Sequence, residues 1–337
     1  MNKKLRFPAE WETQSGTIVA MPHKDSHWNA YLKQSQNKIL EIITHIARFQ
    51  PVIVVYKYAK DVALLQNKAN IHLININTND TWCRDFAPIS LIKNNKIIMF
   101  DFIFNAWGLK FAANLDNAFS KKLYKSGILK YISKNISLKS KHFILEGGSI
   151  DTNGKGVLLT TTQCLLESNR NNISKNKIEK KLKKYFNAKL ILWLENGFLS
   201  GDDTDCHIDN LARFVDSNTI IYLKCNNRFD KHYKALNAME KELATFRALN
   251  GKAFNLIPLP MPKAVYYKKA RLPAGYINFL FINNAILLPI FNDKNDEIAI
   301  NTFKNLFPHR EIIPIDSRIL LRQGGSIHCL SMNIPSI

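Results

Sequence analysis

Apolar residues along this chain fall into a recurring order: two short runs rich in β-branched and aliphatic residues around a tight turn, a stretch with helical spacing, then one more apolar run. In the clearest copy, residues 149–152 and 157–160 flank Asn153-Gly154, a dipeptide suited to the positive φ angles of hairpin turns. Ile178, Leu182 and Phe186 then recur on one face of a helix predicted over 175–186, and 189–193 reads as the closing strand.

The same order predicts further copies. Runs at 89–91 and 97–100 flank Asn94-Asn95, ahead of a helix over 115–124 and a strand at 142–145. Runs at 211–215 and 219–223 precede a helix over 231–249 and a strand at 254–257. Runs at 276–282 and 285–290 flank Asn283-Asn284, before a helix near 297–307 and a strand at 311–315. A fifth copy is split across the termini: a strand at 327–332 pairs with 17–20, followed by a helix over 31–48 and a strand at 52–56.

Five units average about 67 residues each, a period long for a solenoid and suited to a ring of compact modules. The fold class expected is therefore α/β: a five-bladed, pseudo-symmetric α/β propeller of ββαβ modules, with residues 1–337 forming a single catalytic domain. One mixed sheet covered by helices is the alternative. The ring is preferred because a split unit joins both termini in one module, although the extra helix and strand expected between Lys60 and Ile76 fit it imperfectly. In a ring, equivalent strand ends converge on the axis. Asp85, Glu146 and the pair His207 and Asp209 each stand just before or at the start of a hairpin, and Cys329 lies in the split unit, so these distant residues are expected to meet.

Composition changes this picture little. A 46% hydrophobic content with 22% charged residues over 337 positions is that of a globular protein with a sizeable core. The net charge of +20 invites a nucleic-acid reading. The lysines, however, concentrate on outward helix faces such as residues 175–184, and no nucleic-acid recognition motif accompanies them. Five cysteines without a CxxC pair suggest neither a disulfide framework nor a zinc ribbon. The basic start leads into Phe7-Pro8-Ala9-Glu10-Trp11-Glu12 instead of an apolar signal core, and no run reaches membrane-spanning length. A cytoplasmic location is expected, and assembly into a homo-oligomer is left open.

Candidate chemistry is concentrated in a few loops. Cys329 follows Gly324-Gly325-Ser326, where glycine permits close approach of a ligand, and a separate His-x-Asp motif offers the proton-transfer partner a nucleophilic thiol needs. His207 lies among Asp202, Asp203, Asp205 and Asp209, and on a strand His207 and Asp209 would share a face. A metal site built from these groups is the alternative, weakened by the lack of a second histidine at ligand spacing. Near Trp82 and Asp85 a planar cation would gain stacking and charge-assisted hydrogen bonds, whereas Arg84 is expected to make a structural ion pair. Glu146 ends an apolar strand, where a carboxylate needs a partner, and a histidine is a natural one.

Trp82-Cys83-Arg84-Asp85, Glu146-Gly147-Gly148-Ser149, Leu165-Leu166-Glu167-Ser168-Asn169-Arg170, Gly201 to Asn210 and Gly324 to Cys329 occur in the order seen in agmatine deiminases. The chain thus resembles the bacterial-type peptidylarginine deiminase-like branch of the guanidine-modifying pentein superfamily, over nearly its whole length. The resemblance implies a five-bladed propeller, hydrolysis of agmatine to N-carbamoylputrescine and ammonia, and no metal or organic cofactor. It implies Cys329 as nucleophile, His207 as general acid and base, and Glu146 orienting the imidazole. Asp85 and Asp209 would grip the guanidinium, Trp82 would shape the pocket, and Asp203 would meet the distal amine. Cys83, Cys206 and Phe86-Ala87 depart from the family pattern and bear on pocket shape. A small cationic guanidine is the expected partner, without nucleic acid or membrane. Peptidyl-arginine or free arginine as substrate, and amidino transfer, remain alternatives. From another class, so does a basic RNA-binding protein.

Overall fold

The computed structural model describes residues 5–337 and contains five mixed sheets whose strands pair only within each sheet, together with a two-stranded ribbon at Tyr266–Tyr267 and Ala270–Arg271. Four of the five repeat one design. Ile89–Lys93 pairs antiparallel with Lys96–Ile103, which pairs parallel with Ile136–Ile144. The sheets built on Ile150–Thr152, Ala212–Phe214 and Leu280–Ile282 do the same with the two strands that follow each. The fifth is split as the pattern required: Ser331–Pro335 pairs antiparallel with Gln14–Ala20, which pairs parallel with Val52–Tyr56.

Local chemistry explains the units. Asn94 and Asn95 both take positive φ, 49° and 56°, in the tight turn between their strands, and Gly154 does so at 70° in the next hairpin. Helix Lys175–Phe186 buries Ile178, Leu182 and Phe186, and Asn187 ends it in the left-handed conformation. Its lysines stay on the outer side, with Lys177, Lys180 and Lys184 exposed. The other interstrand helices, Leu32–Ala47, Tyr233–Thr245 and Asn295–Leu306, likewise bury one apolar stripe.

One expectation holds and two need correction. The extra strand between Lys60 and Ile76 is real: Ile71–Asn75 adds a fourth, parallel strand to the split sheet, so that unit is larger than its siblings. The strand expected at 327–332 starts only at Ser331, because the preceding residues form a turn that carries Cys329. His207 and Asp209 are not on a strand either. His207 caps a 3₁₀ turn, Ile208–Asn210, and Asp209 lies within it, ahead of strand Ala212–Phe214. No helix among the described residues is long and apolar enough to cross a membrane.

Candidate active site

Loops at the entrances to the hairpins bring the predicted residues together. Asp85 lies in the short helix Cys83–Phe86, and its carboxylate is buried between two donors: Gly148 N–H at 2.9 Å from Oδ1 and Trp107 Nε1 at 2.9 Å from Oδ2. His207 is fully buried, with Nδ1 at 3.7 Å from Asp85 Oδ1. Asp209 receives His328 Nδ1 at 2.7 Å on Oδ2, and the same oxygen lies 3.5 Å from Cys329 Sγ. Gly148 sits at the centre of this convergence. A Cβ there would come within 2.7 Å of His207 Nδ1, 2.9 Å of Asp85 Oδ1 and 3.0 Å of Asp209 Oδ2, so only glycine lets the three loops close.

Cys329 is anchored by Asn278. The amide Nδ2 donates to Sγ at 3.0 Å, while Oδ1 accepts from the backbone N–H groups of His328 and Cys329 at 3.0 and 3.3 Å. Burial pushes the thiol well above its usual range, and the neighbouring Asp209 and Asp85 charges push it further. Burial also raises Asp85, to about 6, with Asp209 adding to the shift and His207 opposing it. Asp209 differs. Burial would raise it, yet the hydrogen bond and charge of His328 prevail and hold it below the ordinary carboxylate value. His207 is penalised by burial, but Asp85, Cys164 and Glu146 overcome this and favour the imidazolium.

Among the described residues, both ring nitrogens of His207 and Asp209 Oδ1 are buried without a hydrogen-bond partner, as are Asn210 Nδ2 and Ser326 Oγ. Buried polar groups of this kind are costly unless a ligand or water serves them. Cys329 and Asp85 line a pocket that opens to solvent and is walled by Trp82, Trp107 and Phe111, with Asp80 and Asp203 among its other lining groups. Among the described residues no lysine or arginine lines it. Trp82 packs on Trp28 with ring centroids 5.5 Å apart and closely abuts Gly325. Asp203 is raised to about 6 by burial and the adjacent Asp202.

Glu146 is placed differently from the expectation. Its two oxygens accept Arg170 Nε at 2.9 and 3.1 Å, so a guanidinium, rather than a histidine, is its hydrogen-bonded partner. The imidazole is nonetheless close: Glu146, Cys164 and His207 each present a ligand-type atom within 4.8 Å of the others. That triad has donor types suited to a metal ion, but Arg170 already supplies the positive charge that Glu146 requires. Asp205 is committed to Arg170 and Lys110 at 2.7 and 2.6 Å and is not free to meet a ligand. Sequence reasoning gave no role to Arg170, Asn278, Trp107, His328 or Glu10. The position of Arg170 in Ser168-Asn169-Arg170 and of His328 beside Cys329 was the available signal. Arg84 makes the ion pair expected of it, 3.1 Å from Glu10.

A thiol near two carboxylates, with a buried imidazole whose neighbours favour its charged form, on a mixed α/β scaffold of repeated hairpin units, is equipment suited to cysteine chemistry on a cationic carbon centre. The chain belongs to the Porphyromonas-type peptidyl-arginine deiminase family, whose pattern matches residues 6–335. It is 31% identical to an agmatine deiminase of Pseudomonas aeruginosa, over 98% of this chain and 96% of that one. Among solved structures it is similar to a cysteine-to-serine variant of C. jejuni agmatine deiminase with substrate bound, at 42% identity and a TM-score of 0.91, covering 98% of this chain and 96% of that one. DDAH from Pseudomonas aeruginosa, at 12% identity and a TM-score of 0.50 over 96% of this chain and 100% of that one, shares the fold alone.

Proposed function

We propose that this chain hydrolyses agmatine to N-carbamoylputrescine and ammonia, with Cys329 as the nucleophile. The observation that carries the reading is the buried pair Asp85 and Asp209 beside the Cys329 thiol: among the described residues Asp209 Oδ1 meets no hydrogen-bond partner, and no lysine or arginine lines the cavity that Asp85 and Cys329 share. Two carboxylates suit one planar guanidinium. The agmatine deiminases similar to this chain over nearly its full length support the same substrate.

The mechanism follows from the charges. A guanidinium held by Asp85 and Asp209 neutralises the two carboxylates that, after burial, raise the thiol, so substrate binding itself favours the thiolate. The thiolate attacks the central carbon, which the carboxylates orient, and a tetrahedral adduct forms. His207 as imidazolium donates its proton to the departing nitrogen, the C–N bond breaks, ammonia leaves, and an amidino-thioether remains on Cys329. The neutral imidazole then takes a proton from water as it attacks. Cleavage of the C–S bond, with loss of the remaining hydroxyl proton to solvent, releases the neutral carbamoyl product and restores the thiolate, and the proton first taken from water stays on His207.

In this reading Glu146 acts by charge: it favours the imidazolium of His207 while Arg170 fixes its orientation. Trp82 and Trp107 wall the alkyl chain, and Asp203 is assigned to the distal ammonium. We also infer that the five sheets stand as five blades around the axis on which these groups meet, the whole chain forming one catalytic domain. The shared strand order and the position of each site loop at a hairpin entrance support this. The test is mass spectrometry of a rapidly quenched agmatine reaction. An amidino adduct is expected on the peptide containing Cys329, and Cys329→Ser should lose turnover while Cys225→Ser keeps most of it. Substantial turnover by Cys329→Ser contradicts the assignment.

A further inference from the structure

Behind Asp209 lies a line of buried charge for which the reaction above has no use. His328 Nδ1 meets Asp209 Oδ2 at 2.7 Å, and its Nε2 faces Glu10 Oε2 at 3.1 Å. Glu10 comes from the N-terminal segment, more than three hundred residues away, and its side chain is 10% exposed. Arg84 donates to Glu10 Oε1 at 3.1 Å, and the fully buried Arg213 donates to Oε2 and to the carbonyl of Phe279. His328 does not line the cavity that holds Cys329. It borders a separate cavity of about 610 Å³, together with Glu10, Arg84 and Asp151.

We propose that His328 and Glu10 are positioning residues for the deimination: they fix the Asp209 carboxylate through Oδ2, leaving Oδ1 for the guanidinium. This deepens the reading above and rests on it. The geometry makes the division of labour specific. Asp209 has two oxygens; one carries the His328 bond and lies 3.5 Å from the thiol, and the other is buried without a protein partner. A carboxylate anchored at one oxygen cannot rotate freely, so the cost of orienting it is met before substrate arrives.

The tautomer follows from the surroundings. Burial together with the charges of Arg213 and Arg84 disfavours a second proton on His328, although Glu10 and Asp209 oppose them. The shorter contact places a proton on Nδ1, donating to Asp209, and Nε2 donates to the Glu10 carboxylate whenever it too carries a proton. Glu10, held ionised because Arg213, His328 and Arg84 outweigh its burial, favours that second proton and with it the bridge from Asp209 through the ring. The charged and titratable groups acting on Asp209 are thus His328, His207 and Arg213, which favour its ionised form, with Asp85 and Cys329 beside it. Removing His328 leaves burial unopposed by its nearest donor. The proton affinity of Asp209 should then rise.

The experiment compares wild type with His328→Ala, His328→Asn and Glu10→Gln by agmatine kinetics from pH 5 to pH 9, with thermal melts alongside. His328→Ala is expected to lower kcat/KM about a hundredfold, on the scale of lost orientation, and to move the acid limb of its profile to higher pH. Asn, whose amide can occupy the place of Nδ1–H, should recover at least about tenfold of that loss. Glu10→Gln should shift the limb in the same direction with a loss of about tenfold, the scale of one weakened hydrogen-bonded contact. An active wild type with His328→Ala within threefold of it overturns the proposal alone. So does a loss that Asn does not relieve and that leaves the pH profile unchanged. A wild type that does not turn over agmatine overturns the underlying reading as well.

Discussion

Arg170 is buried on all sides, with Nε on both oxygens of Glu146, Nη1 on Asp205 and Nη2 on the carbonyl of Thr204. Both Arg170 and Glu146 have fully buried side chains, so removing one partner strands the other's charge in the core. Arg170→Met should therefore destabilise the fold by about 3–5 kcal/mol in denaturant unfolding. Adding Glu146→Leu should recover much of that stability without restoring turnover. The proton affinity of Asp85 makes a second prediction at this scale. With its carboxyl raised to about 6, the ionised form that grips the guanidinium is lost as pH falls through that value. Efficiency toward agmatine should thus drop below about pH 6, and a pH profile flat down to pH 5 would contradict the role of Asp85.

The residue types at the site were legible because catalysis needs unusual groups in unusual places. A cysteine after two glycines and a histidine among aspartates stand out in a chain with 47 basic and 27 acidic residues. Their supports were not legible. Glu10 to His328 spans 318 positions and Asn278 to Cys329 spans 51, and such pairings leave no period in the sequence. Glu146 illustrates the difficulty. A buried carboxylate announces that it needs a partner without saying which, and Arg170 takes the hydrogen bonds that the imidazole was expected to make.

At the scale of elements, hairpins and helices were read well because their determinants are local. Asn-rich turns accept positive φ, and a stripe of apolar residues at helical spacing needs no distant information. Boundaries failed where irregular structure carries the candidate residues: Cys329 sits in a turn before its strand, and His207 caps a 3₁₀ turn that contains Asp209. The Trp107 segment is the sharpest such case. Ala106, Trp107, Gly108 and Leu109 all have positive φ, which no apolar pattern announces, and the result is an indole N–H aimed at Asp85. The Gly147–Ser149 turn supplies the test for this level. Gly148→Ala inserts a methyl among His207, Asp85 and Asp209 and should cost about 1–3 kcal/mol of stability, the usual range for overpacking. Turnover should fall at least about a hundredfold, as expected when reacting groups are displaced by an ångström. Activity within tenfold of wild type would mean that the three loops do not have to close as tightly as they do here.

Across the whole molecule, four sheets of one design and a larger split one carry the candidate residues in the loops that lead into their hairpins. That regularity places Asp85, Glu146, His207 and Cys329, spread over 245 positions of chain, at equivalent points of their units. The excess positive charge lies elsewhere, as on the exposed lysines of helix Lys175–Phe186, while no lysine or arginine among the described residues lines the Cys329 cavity. The contrast bears on substrate choice. Agmatine has a guanidinium and an ammonium and no carboxylate, which suits a cavity lined by Asp85, Asp80 and Asp203. Free arginine would bring its α-carboxylate in among these three carboxylates.

The most direct measurement is ammonia release from agmatine and from free arginine by the same preparation, at one pH and ionic strength. The account predicts that kcat/KM for agmatine exceeds that for arginine by at least about a hundredfold, the scale on which an unpaired buried polar group discriminates between substrates. Equal efficiencies would contradict it.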